Sequence, residues 1–507
     1  MVLRIVAHII LFSFLLSQEK KWKFSADGSA EIYKENGESI QKFTDNVHIY
    51  NDSLSLYTDQ AWEYQSKNEI HLRGNSLLIS KNDSLHCDSM IYWLDKDSLI
   101  ATGSVSMKSD NINIKANQML LWKDVGFRKF SFDSQGNVKI QNNGHTIHSN
   151  SISYNDENQK MYLSNNTKII NSNHEMFADS MIITFKDSLF SNISSMGNVK
   201  INNNITGKIN TNGIFENFID EMSGNSMIVD YANGKIYSLR IHDMATSFFH
   251  VLEDTLLMGT NDVSGDSILM LFDNEILENI TVNGGARGTF YPEKENSNID
   301  TTIIYKAEKI DYHLNLEETF LNKNALVTNL ETELKSGLIH VDWQSNLLKA
   351  YEKYEEMPIV ISNTSEPMEG DSLLFDLVNK RGIINKGKTK YNDSYYHGNE
   401  IFRQEDEVFY VDNSMYTSCE HEIPHYYLWS NKMKMLPNNK IIAKPLRLHI
   451  YDVPIFWLPF AVLPNEGSKR HSGWIMPDFG TTNRQGTFMR NLGYYWAPNE
   501  YFDAVYK

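Results

Sequence analysis

The chain contains little cysteine and, over most of its length, no proline. Only two of its 507 residues are cysteines, and they lie far apart at Cys87 and Cys419. A scaffold held by many disulfides is therefore excluded, and no Cys-x-x-Cys or Cys/His spacing indicates a metal site. No proline precedes Pro292, whereas eight of the eleven lie at Pro424 or later. The composition therefore changes near residue 410, where we place a domain boundary.

Positive charge is also scarce. Lys and Arg number 47 against 64 Asp and Glu, which gives a formal net charge of −17. Because neutralising phosphates requires Lys and Arg, a nucleic-acid partner is excluded, and a broad basic surface for lipid head groups is not expected. A bound lipid would be held mainly through its acyl chains. The aromatic content of 12% and hydrophobic content of 41% exclude a disordered chain.

Long apolar runs are missing beyond the N-terminus. Residues 1–17 have a short positive region followed by the nearly uninterrupted apolar stretch Ile9–Leu16, which predicts a secretion signal rather than a buried first element. No later run reaches 18 residues, so the sequence offers no further transmembrane helix. The longest apolar stretch, Val453–Leu463, is too short and contains two prolines.

A four-residue phrase recurs through the chain: a small residue, a polar pair and the start of an apolar run. Successive copies from Thr58 to Ala178 are 29, 29, 33 and 29 residues apart, and later gaps of 46, 41 and 42 imply longer loops. A second phrase, glycine followed by a polar residue and valine, begins at Gly103, Gly136 and Gly197. Clear copies of the first phrase begin at Cys87, Ala116, Ser149, Ala178, Gly224, Gly265 and Gly370, and weaker ones at Thr58, Ala307, Ser336 and Gly398.

The local pattern has a period of two residues. Ile112, Ile114 and Ala116 alternate with polar neighbours, as half-buried strands do. The Asp-Ser, Asn-Gly and Gly-Asn steps suit tight turns between such strands. No segment shows a sustained period of 3.6 residues. The fold class is therefore all-β.

A unit of about 29 residues has too little apolar surface to be stable alone, so units must stack to bury a shared interior. We expect residues 18–410 to form an elongated β-jelly-roll or β-solenoid-like repeat array. Periodicity does not decide between a filled interior and an open apolar trough. The end of the array could also pair edge to edge with another such protein. The repeats alone fit a structural spacer or an adhesin-like stalk equally well.

The C-terminal part carries several distinctive motifs in a fixed order. They are rich in proline and aromatic residues, and the last is closed by Asp503-Ala504. The motifs are Thr417-Ser418-Cys419, Val453-Pro454-Ile455-Phe456-Trp457-Leu458-Pro459-Phe460, Arg470-His471-Ser472-Gly473-Trp474-Ile475-Met476-Pro477 and Tyr494-Tyr495-Trp496-Ala497-Pro498-Asn499.

This ordered set, over residues 415–507, resembles the LPS-assembly protein family LptD, also named OstA or organic solvent tolerance protein. The upstream repeats are similar to its OstA-type periplasmic domain. The resemblance implies a lipopolysaccharide translocon component without chemical catalysis or cofactors. A periplasmic β-jelly-roll trough would receive lipopolysaccharide and pass it to an outer-membrane β-barrel.

The resemblance also implies the partners and the location. The partners would be lipopolysaccharide, an LptE-like lipoprotein plug, an LptA-like bridge protein bound by β-strand edge pairing, and outer-membrane lipid. The protein would lie in the cell outer membrane with a large periplasmic domain. Residues 411–471 would form the junction to the barrel, and residues 472–507 its first strands.

Particular residues take roles from the same resemblance. Pro477 matches the proline in the family's first barrel strand, where a missing N–H weakens the strand and favours an openable seam. Gly493 stands where the family often has a second proline, and it keeps its N–H. The aromatics Trp474, Tyr494, Tyr495 and Trp496 suit the membrane interface of a barrel.

Only 36 residues follow His471, enough for two or three membrane strands. A closed barrel needs more, so we expect the chain to be a fragment or one part of a split gene. Cys419 matches a family cysteine that forms a disulfide in some members. It would pair with Cys87, pair with a cysteine outside this sequence, or stay free.

Three other classes compete with this interpretation. An enzyme would need carboxylates or a Ser-His-Asp set gathered in one place, and the Asp-Ser steps are instead spread over the repeat. The glycine-rich stretch 283–288 lacks the Lys-Ser/Thr of a phosphate loop. A surface adhesin predicts no barrel motifs, and those motifs also count against a soluble bridge protein.

Overall fold

The protein is almost entirely β-structure and divides into two compact units, Met1–Leu330 (unit 1) and Glu331–Lys507 (unit 2). The division falls inside the segment 18–410 that the sequence presents as one domain. The computed structural model describes residues 22–506 except 81–82, 97, 110–111, 124–129, 143–144, 156, 187–188, 212, 234, 275, 295, 298–300, 330–331, 363–364, 392–393, 405–407, 422, 437–439, 465–471, 476–477, 483–485 and 499–500.

Unit 1 contains nineteen described strands and one short 3₁₀ turn at Leu314–Leu316. Most strands have 10–13 residues, whereas β13 to β17 have 17–20. In chain order, β1 to β19 are Lys23–Ser25, Ala30–Glu35, Glu38–Tyr50, Ser55–Tyr64, Glu69–Ser80, Asp83–Trp93, Ser98–Ser109, Ile112–Lys123, Phe130–Asn142, His145–Asn155, Lys160–Ile170, His174–Lys186, Leu189–Lys208, Phe215–Ala232, Lys235–Glu253, Leu256–Asp273, Ile276–Pro292, Ile303–His313 and Glu318–Asn329.

The strands of unit 1 form an antiparallel meander. From β3 to β19 each strand pairs with the next one in the chain, and β1 and β2 both pair with β3. The first hairpin turns at Asn36-Gly37, where both residues have positive φ, as a two-residue hairpin requires. A repeat of about 29 residues is therefore one hairpin of two strands, which confirms the all-β repeat prediction.

A β-bulge interrupts the strands of unit 1 near their middle. Between β7 and β8 the register shifts between Thr102 and Val105. Gly103 has φ +74°, and a Cβ there would lie 2.2 Å from the Asp88 carboxylate. Only glycine fits both the left-handed backbone and this close approach. Equivalent contacts join Gly74 to Asp59, Gly136 to Asn117, Gly197 to Asp179 and Gly284 to Asp266.

The two recurring phrases of the sequence are the two sides of this bulge. The polar pair of the first phrase supplies the Asp or Asn, and the second phrase supplies the glycine. The residue after the glycine adds a hydrogen bond: Asn198 Nδ2 donates to Asp179 Oδ2 at 2.9 Å. The prediction that these Asp-Ser and Gly-Asn steps form turns between strands is wrong. They lie inside strands, where the glycine of the bulge has the positive φ that a tight turn would also require.

The bulge keeps one face of each strand buried along its whole length. In β8 the buried residues are Ile114 and Ala116 before the bulge and Met119 and Leu121 after it. The alternation of two residues changes to a step of three across the bulge, where an unbroken strand would have turned Met119 outward. The small residue of the first phrase is buried at this point, and Cys87 occupies the same position as Ala116 and Ala178.

The strands also bend sharply at the bulge. Tyr305 and Tyr312 lie on either side of the bulge in β18, yet their hydroxyl oxygens are 2.9 Å apart. Seven residues of a straight strand would separate their Cα atoms by about 23 Å. The two halves of the strand therefore face each other, and the apolar interior of unit 1 lies between them.

Unit 2 is a second antiparallel arrangement, in three sheets. In the largest of these sheets, β20 pairs with both β21 and β22, and β25 pairs with both β23 and β24. From β25 to β29 each strand pairs with the next, and β29 pairs with both β30 and β31. In chain order, β20 to β36 are Thr332–Asp342, Leu347–Tyr351, Ile359–Ser362, Ser365–Glu369, Ser372–Asp376, Arg381–Tyr391, Ser394–Arg403, Phe409–Thr417, Tyr426–Leu436, Lys440–Ile450, Val453–Leu458, Ala461–Pro464, Gly473–Ile475, Asp478–Thr482, Gly486–Arg490, Gly493–Trp496 and Ala504–Tyr506.

The core of unit 2 contains Ile401, Val411, Met433 and Ile441, contributed by four successive strands. The C-terminal strands form two smaller sheets, β32-β35-β36 and the hairpin β33-β34.

We predict that Gly103→Ala destabilises unit 1 by about 2–3 kcal/mol, because the new Cβ needs a strained backbone and displaces the Asp88 carboxylate. Gly37→Ala is the matched control, since Gly37 has φ +84° but open space around its Cβ position. That control should cost only about 1 kcal/mol. Urea unfolding of the full chain followed by circular dichroism measures both, and equal losses would refute the packing role of Asp88.

A second prediction concerns Cys87, whose thiol is completely buried. Burial, and then the neighbouring Asp88 carboxylate, raise the pKa of Cys87 to about 12. The unfolded thiol has a pKa of ~8.5, so its share of stability is complete below that pH and is lost as the pH rises toward 12. From pH 7.5 to 10, the wild type should lose about 2 kcal/mol more than Cys87→Ala. Equal losses in urea unfolding would contradict this.

Candidate functional site

An exposed apolar segment runs along one side of the sheet in unit 2. It consists of β30 and β31 with the two residues between them, and we name it the apolar edge (residues 453–464). Six of its large side chains are between 46% and 65% exposed: Val453, Ile455, Phe456, Trp457, Phe460 and Val462. Contiguous apolar surface of this kind marks a site that contacts a membrane or another protein.

A tight turn directs the apolar edge back along β29. Tyr451 and Asp452 form this turn with φ of 47° and 65°, the left-handed pair of a two-residue hairpin. The Tyr427 hydroxyl donates a hydrogen bond to Asp452 Oδ1 at 2.9 Å. Desolvation, and then this bond, raise the pKa of Tyr427 above its ordinary value. The turn is therefore held from the neighbouring strand β28.

The other side of β29 anchors the apolar edge to the core. Ile441, Ala443 and Leu446 are buried, and Ile441 belongs to the core cluster of unit 2. Pro454 and Pro459 lie in the apolar edge and have no N–H to donate. Prolines at such positions oppose pairing with a further strand. The apolar edge therefore presents side chains, rather than a hydrogen-bonding edge, to whatever contacts it.

The C-terminal aromatics come together in one small sheet. Trp474 in β32 lies opposite Tyr494 in β35, and Tyr495 lies opposite Gly473. Tyr495 donates a hydrogen bond to Asp503 Oδ2 at 2.9 Å. Trp496 is 43% exposed and packs edge-on against Phe502. The sheet thus gathers the four predicted interface aromatics, although their contact with lipid stays a prediction.

The structure describes only one of the two gate candidates. Pro477 lies outside the described residues. Gly493 is buried at the start of β35, opposite Ile475 of β32. It therefore belongs to a strand that is paired on both sides, with β32 and with β36. Its role in a seam stays a prediction.

The interior of unit 1 is the second candidate surface. It is lined by aliphatic and aromatic side chains, including Met90, Tyr92 and Tyr154, each at most 1% exposed. An apolar interior of this kind suits acyl chains rather than charged head groups. These side chains are shielded from solvent, so a lipid would reach them only if the facing halves of the strands moved apart.

The two cysteines are free thiols in different environments. Cys87 is buried at a small position of the repeat in unit 1, whereas Cys419 is partly buried in the loop after β27. A disulfide between them stays a prediction. At the position of Cys87 other repeats carry alanine, serine or glycine, which indicates that its size matters there more than its thiol.

The structure also gathers three metal-ligating side chains that the sequence analysis overlooked. Cys419, His421 and His425 place one ligand atom each within 4.8 Å of one another. The signal in the sequence was Cys-x-His-x-x-x-His, which matches no common zinc motif. The three residues are recognised as a group only in the folded loop, which brings their side chains together.

No helix in the described residues has the length and apolar character needed to cross a membrane. The predicted signal, residues 1–17, lies outside the described part of the chain.

Two protein-family models match the chain. The model described as "LptD protein" matches residues 441–507, which include the apolar edge and the C-terminal aromatic sheet. The model described as "OstA-like protein" matches residues 69–206, which run from β5 into β13 of unit 1. The two matches thus cover both candidate surfaces.

Curated proteins that are similar to the chain are named LptD. The chain is 23% identical to "LPS-assembly protein LptD" of Aromatoleum aromaticum over 210 residues, which is 40% of this chain and 23% of that protein. It is 37% identical to the Pasteurella multocida protein of that name over 95 residues, 18% of this chain and 12% of that protein. The matched parts therefore span less than a quarter of either relative.

Among solved structures, the chain is similar to LptH, "the LptA homologous periplasmic component of the conserved lipopolysaccharide transport device from Pseudomonas aeruginosa". The match has a TM-score of 0.23 and 12% identity, and covers 28% of this chain and 93% of that chain. The two family matches lie at separate places and in the order expected from the sequence motifs. The chain is thus similar to the OstA-like family over residues 69–206 and to the LptD family over residues 441–507.

Proposed function

We propose that this protein carries lipopolysaccharide across the periplasm and delivers it to the outer membrane, without chemical catalysis. The observation that carries the proposal is the exposed apolar edge at residues 453–464, which is paired with β29 within the segment that matches the LptD model. Such a surface is suited to contact with lipid. The apolar interior of unit 1 would hold the lipid before delivery.

The interior of unit 1 would hold the acyl chains. The net charge of −17 disfavours attraction of phosphate groups, so contact through hydrocarbon is the favourable mode. Each buried methylene contributes about 0.8 kcal/mol. The acyl chains of a lipid therefore offset the free energy needed to separate the two facing halves of the strands.

The N-terminal end of unit 1 would receive the lipid from a bridge protein of the LptA kind. Strands β1 and β2 lie at this end and pair only with β3 among the described residues. All six residues of β2 are exposed, and Ile32 is 71% exposed. An unpaired strand edge with exposed side chains is suited to β-strand addition by a partner.

The C-terminal part would join the membrane. Residues 411–471 would be the junction, and residues 472–507 the first strands of an outer-membrane barrel that contains an LptE-like plug. The four aromatics around β35 would lie at the membrane interface, and Pro477 with Gly493 would weaken the seam. The protein would be exported by residues 1–17 and located in the outer membrane with a periplasmic domain.

Photo-crosslinking tests the lipid path. Tyr154 in β10 is 1% exposed, whereas Tyr162 on the neighbouring strand β11 faces outward with 38% exposure. Each is replaced in turn by the photoreactive p-benzoylphenylalanine, which keeps the first aromatic ring and carries a benzoyl group in place of the hydroxyl. We expect lipopolysaccharide added to the full chain to crosslink at position 154 and not at position 162. No crosslink at 154, or equal yields at both, would contradict transport through the interior.

Vesicle flotation tests the apolar edge. Phe460 is 65% exposed, so about 1–2 kcal/mol of its transfer free energy is available to a membrane. Phe460→Ser should therefore weaken binding to phosphatidylethanolamine/phosphatidylglycerol vesicles about tenfold. Phe215→Ser in unit 1 is the matched control, since Phe215 is 57% exposed and lies outside the apolar edge. Equal effects of both variants, or none from the first, would exclude this surface as the membrane contact.

A further inference from the structure

The loop between β27 and β28 gathers a thiol and two imidazoles. Cys419 Sγ lies 3.5 Å from His425 Nδ1. The rings of His421 and His425 have centroids 4.6 Å apart and are inclined at 70°. One ligand atom from each of the three residues lies within 4.8 Å of the other two. All three side chains come from seven consecutive residues.

The distances agree with those around a tetrahedral metal ion. Zinc binds thiolate at about 2.3 Å and imidazole at about 2.0–2.1 Å, which places the sulfur and the nitrogen ~3.6 Å apart at a tetrahedral angle. The observed separation of Sγ and Nδ1 is 3.5 Å. Only small rotations of exposed rings are then needed to direct all three atoms at one ion.

Hydrogen bonds hold the loop closed without any ion. Thr417 Oγ1 donates to the Tyr426 carbonyl at 2.6 Å and accepts from the Cys419 N–H at 3.1 Å. Ser418 and Tyr426 are joined through their hydroxyls at 2.6 Å. Because these bonds already fix Thr417, Cys419 and Tyr426, binding of a ligand there would cost less conformational entropy.

The geometry points to a site for a zinc-type divalent transition metal, which we propose is bound by Cys419 Sγ and by ring nitrogens of His421 and His425. One thiolate with two imidazoles is a donor set that suits zinc, and it disfavours calcium and magnesium, which prefer oxygen. The ion binds the thiolate, so the thiol proton is released to solvent on binding. Three protein ligands leave one tetrahedral position for water.

Such an ion would stabilise the turn that leads into the apolar edge. The Tyr451 N–H donates to the His425 carbonyl at 2.9 Å, and the two rings have centroids 5.3 Å apart. Tyr451 begins the turn from which the apolar edge starts. A metal ion on His425 would therefore fix this turn. It would also occupy the sulfur of Cys419, which could no longer react with other thiols or oxidants.

Cobalt titration of the reduced, metal-free full chain tests the site. We expect one equivalent of Co²⁺ to produce a thiolate-to-cobalt charge-transfer band, which one equivalent of Zn²⁺ removes. Cys419→Ser should abolish the band, and His421→Gln and His425→Gln should each weaken binding at least tenfold. His174→Gln is the control, since His174 lies in unit 1 outside the cluster and should bind as the wild type does. Circular dichroism verifies that each variant is folded.

Alkylation of the native protein gives an independent readout. Iodoacetamide should label Cys419 alone, because Cys87 is completely buried. Zn²⁺ should slow this labelling at least tenfold in the wild type and in His174→Gln, but not in His425→Gln. If Zn²⁺ leaves the labelling rate unchanged and Co²⁺ gives no stoichiometric band, the three side chains form only a thiol–imidazole hydrogen bond and the proposal is wrong. Equal loss of binding in His174→Gln would also overturn it.

Discussion

A glycine with left-handed backbone, packed against an aspartate or asparagine of the preceding strand, determines the architecture of unit 1. Gly103 against Asp88 is typical, and four further pairs repeat it. The bulge adds a residue, so the alternation of side chains shifts while the same face stays buried. It also bends the strand, and the bend brings two halves of one strand together around a shared interior. Without it, a strand of twelve residues would be a flat ribbon with half of its apolar side chains turned to solvent.

This construction explains why the small residue precedes the polar pair. The bend leaves little space inside, and a larger side chain at Ala116 or Ala178 would press on the neighbouring strand. Cys87 fits the same space as a slightly larger alanine. The two cysteines therefore differ physically: burial keeps Cys87 protonated and unreactive, whereas Cys419 lies in a polar loop beside two imidazoles.

The two units treat apolar side chains in opposite ways. Unit 1 shields them between bent strands, where loading with lipid would require separation of those strands. Unit 2 exposes them along residues 453–464, where the supporting strand β29 is anchored to the core. A shielded interior followed along the chain by an exposed apolar edge is an arrangement suited to release of a hydrophobic cargo. Transfer of the cargo from the shielded interior to the exposed edge would be favourable only when a membrane covers that edge.

Residue patterns alone determined the all-β class, the hairpin period of about 29 residues and the resemblance to the LptD family, because alternation and motif order are properties of the chain itself. The sequence also located the apolar run at residues 453–463, but not its exposure, which depends on how Ile441 of β29 packs in the core with Val411 and Met433. The bulges were mistaken for turns, because a glycine with positive φ suits both and only strand pairing distinguishes them. The grouping of Cys419 with His421 and His425 required the folded loop, since hydrogen bonds from Thr417 and Tyr451, the latter distant in sequence, close it.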